Sequence, residues 1–73
     1  MESKLRTLRK NLGLSARELG IKAKVNFRMI LKYETGEKNI DHAKPETLFK
    51  LAEALNCKVS DIIENEDIIK IFN

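Results

Sequence analysis

Residues 15–36, SARELGIKAKVNFRMILKYETG, constrain what this chain can fold into more than any other stretch. They read as two short helices joined by a tight turn. Ser15 followed by Glu18 has the spacing of a capping box: the hydroxyl accepts from the Glu18 amide, and the carboxylate reaches back. Leu19 and Ala23, four apart, share one face of the first helix, and Ile30 and Tyr33, three apart, share one face of the second. Val25 pins the turn, and Asn26 caps the second helix. With that stripe turned inward, Phe27, Arg28, Leu31 and Lys32 stay on the outward side. A helix that buries one stripe and offers cations on the other suits a DNA groove.

Charge points the same way. The net charge is +3, but residues 1–44 hold eleven Lys or Arg against five acids, net +6, and residues 45–73 hold three against six, net −3. The basic half contains the helix pair, so the asymmetry fits a nucleic-acid partner; alone it fits equally a Lys/Glu-rich surface that keeps a small protein soluble. Three Gly, one Pro and abundant Leu, Ile, Lys and Glu favour an all-α domain, and 73 residues make one domain. One Cys allows no internal disulfide and no Cys-based zinc site, and the lone His42 supports no metal site. No metal, cofactor or small-molecule ligand is expected. There is no long apolar run, and the charged start is no signal peptide, so no membrane contact and a cytoplasmic location are expected.

Along the chain, residues 2–12 read as a first helix with Ser3 as cap, Leu5, Leu8 and Leu12 inward, and Lys4, Arg6, Arg9 and Lys10 in solvent. Gly13 stops it. Residues 15–23 form the second helix, where Gly20 implies a close helix–helix approach and Ile21 lies outside the main stripe, a peripheral core contact. Arg17 and Lys22 can reach a DNA backbone. Residues 26–35 form the third helix, with Met29 in partial contact with the core. Arg28 is the best base reader, because its fork fits guanine O6 and N7 together. Lys32, one turn on, can reach a guanine or a phosphate. Phe27 and Leu31 either touch thymine methyl groups or pack back on the domain. The loop 36–44 ends the helix at Gly36, tucks Ile40 into the core and leaves His42 exposed. Pro45 starts a fourth helix with Leu48, Leu51, Ala52 and Leu55 inward. Cys57 reads as a small buried apolar residue. Residues 59–64 read as a short fifth helix with Val59, Ile62 and Ile63 inward. Ile68, Ile69, Ile71 and Phe72 follow neither helical nor strand spacing, and either fold back or pair with a second copy.

From about Leu5 to Glu64 the chain resembles the lambda-repressor/Cro-like (Xre) helix-turn-helix family. Leu12-Gly13-Leu14-Ser15 resembles that family's entry into its second helix, and Tyr33-Glu34-Thr35-Gly36 its exit from the third. Pro45-Glu46-Thr47-Leu48 and Leu51-Ala52-Glu53-Ala54-Leu55-Asn56-Cys57 resemble its fourth helix. The resemblance implies a compact five-helix domain over residues 1–65, its helix-turn-helix made by helices 2 and 3, with a short apolar tail over 66–73 as a possible dimerisation segment. It also implies that Asn26 touches phosphate besides capping, and that Lys38 and Asn39 grip phosphate from the loop. Two positions depart: Ala16 stands where the family often has Gln, and Lys24 where it usually has the turn Gly.

The expected function is sequence-specific binding of double-stranded DNA by a small regulator, a repressor of phage or mobile-element type. It would act as a homodimer on a palindromic operator. Arg17, Asn26, Phe27, Arg28, Leu31, Lys32, Lys38 and Asn39 are the expected contacts. The competing expectation is a protein-interaction module, antitoxin-like or an adaptor, kept open by apolar Phe27 and Leu31 and by Ala16. No Gly-rich phosphate loop, paired-carboxylate pocket or Ser-His-Asp set supports an enzyme, and no catalytic residue is assigned.

Overall fold

The computed structural model describes residues 2–72, the Phe72 side chain excepted. Five helices follow in order: α1 (Lys4–Asn11), α2 (Ala16–Ala23), α3 (Phe27–Thr35), α4 (Pro45–Ala54) and α5 (Glu66–Phe72). Two single 3₁₀ turns, Ile40–His42 and Val59–Asp61, stand on either side of α4, and no strand occurs among the described residues. The radius of gyration is 10.9 Å, close to the ~11 Å of a compact chain of this length.

Four of the five helices among the described residues start where a side chain satisfies a free amide, and α4 starts at a proline instead. Ser3 Oγ accepts from the Arg6 amide at 3.1 Å and opens α1. The Ser15–Glu18 capping box closes at both ends: Ser15 Oγ accepts from the Glu18 amide at 3.0 Å, and Glu18 Oε1 from the Ser15 amide at 2.9 Å. Asn26 Oδ1 accepts from the Arg28 amide at 2.9 Å and opens α3. Pro45 sits in the first turn of α4, where its missing N–H costs nothing.

The core gathers at the meeting of α2, α3 and α4. Leu5, Leu19, Ile30, Leu51, Ile62 and Ile63 are fully buried there, with Tyr33, Ile40, Leu48, Ala52 and Leu55 around them. Gly20 makes this convergence possible: a Cβ at that position would stand 2.7 Å from the Val25 carbonyl oxygen and 3.2 Å from Phe27 Cβ. The turn between α2 and α3 passes through Lys24 at φ 59°, a left-handed conformation that a β-carbon makes costly by ~1 kcal/mol.

Several expectations are corrected. Arg9 is buried rather than solvated, because it lies one turn beyond Leu5 on the same inward stripe and has an acidic partner there. Leu12 is exposed, because α1 ends at Asn11 and Leu12 leaves the helical period as its C-cap. Ile21 contacts no core and is 76% exposed, on the outer side of α2. Residues 59–61 make only a 3₁₀ turn, although Val59, Ile62 and Ile63 are buried as expected.

The fifth helix lies instead in the segment read as an irregular tail. Asn65 Oδ1 accepts from the Asp67 amide at 2.8 Å, and Glu66 and Asp67 place negative charge in the first turn, where the helix dipole favours it. Ile68 and Ile69 pack against the core, while Ile71 is exposed. Asp41 locks this helix in place, accepting from the amides of Glu64 at 2.7 Å and Asn65 at 3.0 Å. Cys57 is half-buried rather than buried, and burial pushes its thiol up, with a smaller push from Asp61.

Candidate nucleic-acid interface

The outward edge of α3 follows from the burial of its inward one. Ile30 and Tyr33 point into the core, so the helical period leaves Arg28, Leu31 and Lys32 exposed along one side. Arg28 and Lys32 are four apart, one turn along the same edge. Leu31 keeps 41% of its surface in solvent between them and Phe27.

At the head of α3 the sequence-derived residues come together. Arg17, Asn26, Phe27 and Arg28 line one shallow concavity of about 480 Å³ with Gly20, Ile21 and Val25. Arg17, Asn26 and Arg28 are exposed and Phe27 is half-buried. The Asn26 side chain spends its carbonyl on the cap and keeps its amide donors. The Arg17 guanidinium carbon lies 4.5 Å from the Phe27 ring centroid.

Lys38 and Asn39 stand apart from that group, beyond the far end of α3. Gly36, at φ 83°, turns the chain there. The Lys38 amide then donates to the Lys32 carbonyl at 3.1 Å, folding the loop onto the end of α3. Asn39 Oδ1 accepts from the Asp41 amide at 3.0 Å, and both Lys38 and Asn39 border a second hollow of about 400 Å³. The α2–α3 edge is therefore bracketed by exposed cations: Arg17 at one end and Lys38 at the other.

The sequence reading missed the group that fixes α3 in this attitude. Arg9 reaches from α1 to Glu34 on α3 with two bonds, Nε to Oε2 at 2.7 Å and Nη2 to Oε1 at 2.9 Å. Its third contact, Nη1 to the Leu14 carbonyl at 2.7 Å, clamps the α1–α2 link. The hydrogen bond to Glu34 raises the Arg9 pKa above its ordinary value, against a smaller effect of burial. The signal was present: Arg9 repeats the Leu5 position one turn on. Charged residues are so seldom buried unpaired that periodicity alone assigns Arg9 to solvent.

A family model described as helix-turn-helix matches residues 5–62. No curated protein and no solved structure matches the chain. Among the described residues no helix is long and apolar enough to cross a membrane.

Proposed function

The chain belongs to the lambda-repressor/Cro-like (Xre) helix-turn-helix family, and on that premise we propose that it is a small sequence-specific regulator reading the major groove with α3. Binding DNA as a regulator comes with the family. The finer reading rests on one observation: the edge from Asn26 to Lys32 is open to solvent and carries Arg28 and Lys32 one turn apart. Arg28 presents its two-pronged donor to a guanine, Lys32 adds a guanine or phosphate contact, and Leu31 lies against thymine methyl groups. Phe27 stands beside them at the groove wall. Arg17, Asn26, Lys38 and Asn39 hold phosphates at the two ends and set the register. Regulation is by occlusion, as expected of a repressor of phage or mobile-element type in the cytoplasm, with no catalytic step.

A second copy doubles the site. The half-exposed α5, with Ile71 outward, supplies apolar surface for a homodimer. Two half-sites of a palindromic operator then lie ~34 Å apart, one turn of the duplex. Selection of duplexes from a random pool by the purified chain tests the whole reading. Recovery of a two-fold-related site of that spacing is the expected result; a pool that shows no enrichment overturns it.

The exposed Ile21 beside the α3 concavity supports a second reading, a protein-interaction module. Titrating salt against binding to random duplex separates the two. A groove binder weakens steeply with salt, whereas an adaptor scarcely binds at all.

A further inference from the structure

Two cations from different helices stand over the Phe27 ring. The Arg17 guanidinium carbon, on α2, stands 4.5 Å from the ring centroid, and that of Arg28, on α3, stands 5.9 Å away. Both fall within the ~6 Å over which an aromatic face attracts a cation. Neither guanidinium belongs to an ion pair among the described residues. The ring, not a carboxylate, is what gathers them.

The ring itself is held from below. Phe27 is half-buried, and its β-carbon abuts Gly20, where a Cβ would approach it to 3.2 Å. Its position is thus set by the α2–α3 packing rather than by solvent. Two like charges gathered on a fixed surface repel each other until an anion arrives. Ordered in advance, they also lose less rotamer freedom on binding.

We propose that Phe27 is a positioning residue: its ring presents Arg17 and Arg28 as one preorganised pair, Arg17 to a DNA phosphate and Arg28 to the adjacent guanine edge. This rests on the DNA-binding reading above and goes beyond it, since Phe27 then acts through the two arginines rather than on a base. The ring face is required, not merely an apolar side chain of similar bulk.

The test uses the full chain, the duplex recovered by selection, and a random-sequence duplex of equal length. Phe27→Leu keeps apolar volume and removes the ring; it is expected to weaken the selected site roughly 3- to 10-fold, and to lessen the salt slope. Phe27→Tyr restores binding. Arg17→Ala costs less in the Phe27→Leu background than in the wild type, because the partner is already displaced. Binding unchanged in Phe27→Leu, equal weakness of Leu and Tyr, or simple additivity with Arg17→Ala each overturn the proposal. A measurement on the free wild-type protein stands apart from any variant's folding: the Arg17 δ-methylene protons resonate upfield under the ring current, and unshifted resonances overturn the stacking. A wild-type chain that recovers no duplex from the random pool defeats the DNA-binding reading itself, and the proposal with it.

Discussion

Arg9 and Glu34 are joined by two hydrogen bonds, 2.7 and 2.9 Å long, with both side chains almost out of solvent. The pair ties α1 to α3 and so fixes the angle at which the outward edge of α3 is offered. Buried pairs of this kind do little for net stability but are costly to break, because the partner left behind is an unsolvated charge.

Arg9→Ala or Glu34→Gln is therefore expected to lower unfolding free energy by about 3–5 kcal/mol, a large share of what a small domain has. Replacing both by apolar residues of similar length, Arg9→Met with Glu34→Leu, recovers most of that loss. Urea denaturation followed by circular dichroism checks both. Equal destabilisation of the double and single variants contradicts the account.

The α2–α3 turn gives substitutions of opposite sign. Gly20→Ala drives a methyl group against the Val25 carbonyl, 2.7 Å away, and is expected to cost about 1–3 kcal/mol as α3 is pushed outward. Lys24→Gly relieves the left-handed residue at φ 59° and is expected to gain up to about 1 kcal/mol. Thermal melts of the two variants should move in opposite directions.

On DNA, Arg28→Ala is expected to cost about 1–3 kcal/mol on the selected site and to relax base preference at one position. Lys38→Ala should weaken all sequences alike and reduce the salt slope by about one. Competition against single-base variants of the site distinguishes the two. Loss on random duplex equal to that on the selected site reassigns Arg28 to phosphate holding.

Acid should loosen the fold partly through the α2 cap. The Ser15 amide, and then its hydroxyl, hold the Glu18 carboxyl below the ordinary carboxylate range. Glu2 is lowered in the same direction, chiefly by its hydrogen bond to Lys10. The folded state thus favours the charged forms. Their contribution is complete above the ordinary glutamate range and fades as pH falls through that range and the lowered values beneath it. Melting temperature against pH should fall less steeply there for Glu18→Gln than for the wild type. Identical acid limbs would remove the cap from the account.

Periodicity and capping chemistry alone determine much of this molecule. Ser3, Ser15 and Asn26 mark helix starts through bonds made within a few residues, and Pro45 marks one through its fixed φ, so all four are legible locally. The 3.6-residue repeat then decides which side of α3 is buried, and hence that Arg28, Leu31 and Lys32 face out. The Asn65 cap and the acids after it were local signals too, but four isoleucine and phenylalanine positions without a clear period masked α5.

Tertiary structure alone decided the rest. That Arg9 is buried depends on Glu34, 25 residues later, being delivered to its side, and no local rule contains that meeting. The stacking of Arg17 on Phe27 likewise depends on how closely two helices approach, which Gly20 permits but does not place. Lys38 and Asn39 reach the far end of α3 only because the loop amide finds the Lys32 carbonyl. Local sequence fixes what a segment can become, since its forces act within a turn or two. Which charges meet is set by packing between segments, where distance along the chain no longer measures distance in space.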